Sequence, residues 1–322
     1  MRANWRATAA AFAAVAVAVT LVGCAAPSSN TPGAAPAEKG PIRVGSKIDG
    51  EGSLLGQLIL TVLKQNGFTV EDKTRTGATD VVRKALVSGQ IDIYPEYTAN
   101  SLLVFNKDKN VAPSVLKDAQ ATYLEAAKLD LANGIVWLKP APANNTWAVA
   151  LPRAFATANG LKSMEDWAAY INRGAAVKIV GSQEFFTSAA AMPAFETAYG
   201  FKLKPGQIVA LASGDTAVTE KAAAQGSNGA NAAMAYGTDG TVAALDLVVL
   251  SDPKGAQPVY QPAPTLRKAI ADKYPEIATL LDPVFERLTL ETLQKLNGQV
   301  AVDGKDPKAV VSDWLKSEGL LK

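Results

Sequence analysis

The 322-residue sequence predicts an α/β protein of two lobes with a cleft between them. From Pro41 onward, short β-type apolar runs alternate with segments of helical spacing, the pattern of a parallel sheet covered by helices. A proline-rich crossing, Lys139-Pro140-Ala141-Pro142, interrupts that alternation, and a second α/β unit starts beyond it. With 48% hydrophobic and 19% charged residues, the chain has enough apolar material for two separate cores.

In chain order, Ile42-Arg43-Val44-Gly45-Ser46 reads as the first strand. Leu54-Leu55, Leu58-Ile59 and Val62-Leu63 are apolar pairs at helical spacing, closed by Asn66-Gly67. A second strand is expected over 68–73 and a helix over 80–87, with Thr79 as its cap and Ser88-Gly89 as its end. The third strand is Ile91-Asp92-Ile93-Tyr94, which Pro95 is expected to stop. Beyond the crossing, strands are expected at 146–150, 177–180, 208–211, 230–236 and 247–250, with helices through 194–199 and 216–225. Four closing helices are expected near 266–273, 276–288, 291–296 and 308–316. The expected division is residues 41–143 with 250–322 in lobe I, and 144–249 in lobe II.

The first residues are not part of that fold. Arg2 and Arg6 precede an Ala/Val run of signal-peptide length that ends in Leu21-Val22-Gly23-Cys24, similar to the lipobox of bacterial lipoproteins. That resemblance implies a signal peptide over 1–23 and an acylated Cys24, and the Pro, Ala, Ser and Asn that follow read as a tether to residue 40. The protein is then expected outside the cytoplasm, held by lipid on the outer face of the cytoplasmic membrane without crossing it.

Composition removes several functions. Setting Arg2 and Arg6 aside leaves 30 basic against 30 acidic residues, so nothing favours nucleic acid as a partner. With no histidine, the usual general base, the commonest metal ligand and every Ser-His or Cys-His arrangement are missing. Gly50-Glu51-Gly52 and Gly226-Ser227-Asn228-Gly229 match neither phosphate-loop nor dinucleotide spacing. No catalytic residue, metal or cofactor is expected.

Four aromatics sit in polar, Gly, Pro or Asn surroundings at strand ends or loops: Tyr97 in Pro-Glu-Tyr-Thr, Trp147 in Asn-Asn-Thr-Trp, Tyr236 before Gly-Thr-Asp-Gly, and Tyr260 in Pro-Val-Tyr-Gln-Pro. Each taken singly is more often a packed structural ring. Converging in a cleft, they would hold a quaternary ammonium, which donates no N–H bond and is bound by ring faces at roughly 0.5–2 kcal/mol each. Ser46, Lys47, Thr98, Asn145 and Thr216 are among the polar groups available to an anionic end, although turn and cap chemistry explains each equally well. Tyr94, one residue inside the strand, reads as packing. Asp92, Glu96, Asp215 and Asp239 could pair as a hydrolase dyad, but Asp215 and Asp239 sit in turn sequences that explain them better.

These motifs together resemble the substrate-binding proteins of ABC importers for glycine betaine, choline, carnitine and related osmoprotectants, and look most similar to the YehZ/OsmF-type branch. The matching stretches are 44–49 (VGSKID), 89–98 (GQIDIYPEYT), 140–147 (PAPANNTW), 214–219 (GDTAVT), 232–240 (AAMAYGTDG), 250–253 (LSDP) and 257–264 (QPVYQPAP). The resemblance implies a type II-like periplasmic-binding-protein fold, two lobes closing about a hinge, and an aromatic cage of Tyr97, Trp147, Tyr236 and Tyr260. It further implies a monomeric receptor that delivers its ligand to an ABC permease with a separate ATPase subunit. Trp147 stands where a tyrosine is commoner, and Gly50-Glu51-Gly52 stands where many members read Thr-Glu-Gln. The alternatives are a receptor for another zwitterion such as an amino acid, approached by Glu51 or Asp215, and a surface-anchored hydrolase.

Overall fold

The computed structural model describes residues 39–212 and 215–321. The expected signal segment, Cys24 and nearly all of the tether lie outside the described residues. The strands are β1 (Lys39–Lys47), β2 (Phe68–Gly77), β3 (Ile93–Tyr97), β4 (Ile135–Trp137), β5 (Trp147–Pro152), β6 (Ile179–Ser182), β7 (Ile208–Leu211), β8 (Ala232–Tyr236), β9 (Leu247–Val249) and β10 (Pro262–Arg267). They form two five-stranded sheets, ordered β2-β1-β3-β10-β4 and β7-β6-β8-β5-β9. In the first, β1 runs parallel to β2 and β3, whereas β10 runs antiparallel to β3 and β4. The second repeats the plan, with β6 parallel to β7 and β8 and β5 antiparallel to β8 and β9.

Each sheet has its own core, as the alternation of apolar runs implies. The expected apolar pairs lie on the helix Gly50–Gln65, where Leu54, Leu55, Leu58, Ile59 and Leu63 are fully buried against β1 and β3. Asp49 caps this helix by accepting from Gly52 N at 2.7 Å. The second core gathers around Trp167, Phe185 and Phe195, all but fully buried.

Several elements depart from the sequence expectations. β1 begins at Lys39, before the expected lobe start at Pro41. Thr79 is the first residue of its helix and not the cap, a place taken by Ala78 without a side-chain bond. Pro95 does not stop its strand: β3 continues to Tyr97, with Pro95 opposite Pro264 of β10. Thr98 N bonds Gln261 O at 3.0 Å and Arg267 N bonds Asp92 O at 3.0 Å, so alternation places the proline pair at a non-hydrogen-bonded position where neither missing N–H is needed by the other strand. β10 itself replaces the expected start of a helix at Leu266, and the helix runs only over Lys268–Lys273. β4 and the helix Ala119–Leu131 add to what the sequence reading found.

Two chain segments cross between the sheets and are bonded to each other. Asn145 N donates to Tyr260 O at 2.9 Å, and Tyr260 N donates to Asn144 Oδ1 at 2.8 Å. A third connection is the helix Leu290–Ala301, which packs on the helix Gly240–Ala244 so closely that a Cβ on Gly240 would lie 2.3 Å from Gly298 N. Gln294 Nε2 donates to Gly237 O at 2.7 Å and Asn297 Nδ2 to Thr238 O at 2.9 Å, fixing the loop after β8.

Candidate functional site

A cleft of about 600 Å³ opens where these connections meet. Lys47 and Tyr97 enter it from the ends of β1 and β3, and Asp49, Gly50 and Glu51 from the start of the helix Gly50–Gln65. Tyr236, Thr238 and Asp239 enter from the end of β8 and its loop, Asn145 and Tyr260 from the crossings, and Asn297 from the helix Leu290–Ala301. Strand ends and helix starts supply most of this wall, because a sheet terminates there and its last side chains have no neighbour above them.

Tyr97 is 7% exposed, and its hydroxyl donates to Glu51 Oε1 at 2.5 Å. Burial, reinforced by the Glu51 carboxylate, holds the Tyr97 hydroxyl well above the usual tyrosine range, so it remains a donor. Glu51 also accepts from Asn145 Nδ2 at 3.1 Å and Asn297 Nδ2 at 2.5 Å. Burial raises its pKa, and hydrogen bonds from Thr238, Tyr97 and Asn297 oppose that rise.

Lys47 is buried at the base of the cleft. Its Nζ lies 2.7 Å from Glu96 Oε1 and 4.5 Å from the centroid of the Tyr97 ring. Glu96 is fully buried and accepts as well from Tyr94 Oη at 2.9 Å, Tyr97 N at 2.7 Å and Asn100 Nδ2 at 2.9 Å. Tyr94 is fully buried packing, as its place in the strand implies. Glu96 thus serves the cleft from behind, fixing Lys47 and Asn100 without facing a ligand.

On the opposite wall Tyr236 is exposed, and Trp147 stacks behind it with ring centroids 6.3 Å apart and planes 21° from parallel. The two are directly paired across β5 and β8, which sets that stack, and the edge of Trp147 meets Phe185 at 6.3 Å. Asp239 Oδ2 accepts from Tyr236 N at 2.7 Å, the turn chemistry its sequence indicates. Beside it Glu220 is fully buried, and that burial, with the neighbouring Asp239 carboxylate, pushes its pKa up to about 9.

Of the sequence candidates, Tyr97, Tyr236, Tyr260, Asn145 and Lys47 line this one cleft. Trp147 contributes through Tyr236. Ser46 is fully buried, donating to Lys47 O at 2.8 Å and accepting from Arg75 N at 2.8 Å. Thr98 donates to Val259 O at 2.9 Å and accepts from Gln261 N at 3.1 Å, fastening β3 to the second crossing. Thr216 opens the helix Thr216–Ala224 and bonds Asp239 from outside the cleft. Asp92 is ion-paired to Arg43 at 2.8 Å and Arg267 at 2.7 Å, so it forms no acid dyad with Glu96. Sequence reading left out Asn100, Thr238 and Asn297. Asn297 carried one local signal, an asparagine beside Gly298 inside an otherwise amphipathic helix.

A cleft between two sheets of this order, lined by strand-end aromatics, defines a two-lobed solute-binding protein. Residues 40–317 match the family described as the substrate binding domain of ABC-type glycine betaine transport systems, and the chain belongs to it. It is 52% identical over 283 residues to the glycine betaine-binding protein YehZ of Escherichia coli (strain K12), covering 88% of this chain and 92% of that protein. It is 34% identical to a glycine-betaine-binding protein of Pseudomonas aeruginosa, over 87% of this chain and 88% of that one. The solved structure of apo YehZ superposes with a TM-score of 0.83, covering 87% of this chain and 99% of that chain. The family is one of transporter binding proteins and not of enzymes. The structure also accounts for the departure at Gly52, where a Cβ would sit 2.9 Å from Lys47 Cβ and 3.0 Å from Lys47 O. Among the described residues, no helix is long and apolar enough to cross a membrane.

Proposed function

We propose that this protein is the extracytoplasmic receptor of an ABC importer and captures a quaternary-ammonium osmoprotectant, glycine betaine or a relative of it, for delivery to the permease. The observation that carries this reading is the convergence of Tyr97, Tyr236 and Tyr260 on one cleft, with Trp147 stacked behind Tyr236. Ring faces attract a cation that has no N–H to donate, and each supplies roughly 0.5–2 kcal/mol. Three rings from different segments meet such a cation together only when the lobes, residues 41–143 with 250–322 and residues 144–249, are close, so ligand favours the closed state. Calorimetry against glycine betaine, proline betaine, choline, carnitine and ectoine tests this. Binding to none of them, or unchanged binding after combined Tyr97→Ala and Tyr236→Ala, sinks the cage.

A second reading is favoured by Glu51, whose carboxylate lines the cleft: a zwitterion with an N–H-bearing ammonium, such as an amino acid. Competition by amino acids against bound betaine separates the two.

The lipobox-like Leu21-Val22-Gly23-Cys24 supports anchoring through acylated Cys24 after removal of residues 1–23. Cys24→Ser should move the protein from the membrane to the soluble fraction, and a variant still sedimenting with membranes rules that anchor out.

A further inference from the structure

Behind the Tyr236 wall two carboxyl groups meet. Glu220, on the helix Thr216–Ala224, is fully buried, and neither of its oxygens has a hydrogen-bond partner. It lies against Asp239, which lines the cleft and accepts from Tyr236 N at 2.7 Å and from the Thr216 hydroxyl. Two carboxyl groups in contact away from water do not both ionise, so they keep a proton between them. Asp239 has the donors that support a charge, which leaves Glu220 as the acid. The surroundings offer no counter-charge. β5, β6, β8 and the helix Gly240–Ala244, which pack on the helix Thr216–Ala224, carry no charged side chain, and Tyr236 is their one titratable group. Asp215, at the start of that helix, is a third carboxylate that resists ionisation of both. Lys221 on the same helix is exposed, as are Glu291 and Lys295 of the helix Leu290–Ala301, and Lys178 is bonded to Asn228 O at 3.0 Å. Across the cleft, Glu51 is held by Tyr97, Asn145 and Asn297. Among the described residues, neither Glu220 nor Asp239 is ion-paired to a lysine or arginine.

A cation in the cleft supplies the missing charge. Asp239 and the ring of Tyr236 belong to one wall, so a quaternary ammonium on that ring adds positive charge beside the pair and favours its fully ionised form. We propose that binding of a quaternary-ammonium ligand releases the proton shared by Glu220 and Asp239, so that affinity depends on pH, with Glu220 a positioning residue that acts through Asp239. This rests on the reading that the rings hold a quaternary ammonium. The proton leaves by way of Asp239, the member that reaches the cleft, and passes to the buffer. Because the bound protein holds fewer protons than the free protein, affinity rises with pH. The rise ends at about pH 9, where the free pair has itself lost the proton.

The test is calorimetry of the purified protein with glycine betaine and with choline, each in phosphate and in Tris buffer at about pH 8. The two buffers take up a proton with very different heats, so a released proton appears as a difference between the observed binding heats. That difference should have the sign of release, and affinity should rise about three- to tenfold from about pH 7 to pH 9. In Glu220→Gln the amide donates to Asp239 as the protonated acid does but has no proton to give up, so the two buffers should give equal heats and affinity should no longer rise with pH. Equal heats in the parent protein, or a difference with the sign of proton uptake, overturn the inference without any variant and leave the ring cage standing. Release that persists in Glu220→Gln assigns the proton to another group, such as Glu51, and overturns it as well. Failure of both ligands to bind removes the cage reading and this inference with it.

Discussion

The ammonium of Lys47 lies 4.5 Å from the centroid of the Tyr97 ring and is held there by Glu96 at 2.7 Å. One ring of the proposed cage therefore already faces a cation of the protein's own, and the pair supporting it is buried, with side chains 9% and 0% exposed. Removing one member strands the other. Lys47→Met should destabilise the protein by about 3–5 kcal/mol, and Lys47→Met with Glu96→Gln should recover most of that. Urea unfolding midpoints of the three proteins decide it, and a double variant no more stable than the single one contradicts the account.

The aromatic walls separate into ligand-facing and supporting members. Tyr236→Ala and Tyr260→Ala should each weaken ligand binding by about 0.5–2 kcal/mol, roughly 2- to 30-fold. Tyr236 is the more exposed partner of the stack with Trp147, so its removal should cost only about 0.5–1.5 kcal/mol of stability, less than the loss of Trp147. Trp147→Ala removes the stack behind Tyr236 and the edge contact to Phe185, so it should lower both affinity and melting temperature. Parallel calorimetry and thermal melts distinguish the two patterns.

Gly240 has no room for a side chain: a Cβ there meets Gly298 N at 2.3 Å and Asn297 C at 2.4 Å. These atoms belong to the one Asn297–Gly298 peptide of the facing helix, and that backbone cannot yield as a side-chain tip would. Gly240→Ala should cost about 1–3 kcal/mol or more and weaken ligand binding, because the same contact carries Thr238 and Asn297 into the cleft. Unchanged unfolding and binding curves would show that the two helices separate freely.

Glu220 ties stability to pH. Its pKa rises from an ordinary 4.5 to about 9 in the folded protein, so the folded state holds a proton that the unfolded chain releases between those values. This contribution is complete below pH 4.5 and is lost as pH rises towards 9, by at most about 1.4 kcal/mol per pH unit. Asp239, raised chiefly by burial, acts in the same direction. Glu220→Gln should match the parent near pH 5 and become progressively more stable than it towards pH 9. Parallel stability-against-pH curves for the two proteins would refute the shift.

How much could be read from the chain follows from where each signal resides. The helix Gly50–Gln65 and strands β6, β7 and β8 carry their own periodicity, so local apolar spacing revealed them. β10 was hidden because Pro262 and Pro264 argue against a strand, and only its antiparallel register with β3 makes them harmless. In the cleft, the rings of Tyr97, Tyr236 and Tyr260 stood out because each is an aromatic in a polar setting. Asn297 and Thr238 reach the site through the Gly240 to Gly298 contact, a long-range fit with no local periodicity. Ser46, Thr98 and Thr216 have the right chemistry, but the backbone groups beside Ser46 and Thr98, and the Asp239 carboxylate beside Thr216, use it first.

The placement of β10 also sets an order of assembly. This strand lies between β3 and β4, with Leu266 paired to Ile93 on one side and to Val136 on the other. Until residues 262–267 arrive, the first sheet is two fragments with a gap where an interior strand belongs. The strands of the second sheet all precede β10 in the chain, so that lobe has its strands before the first can close. A chain delivered from its N-terminus would therefore hold every strand of its later lobe before those of its first, and a purified fragment ending before Pro262 should protect β6 and β8 from hydrogen exchange while β3 and β4 remain open.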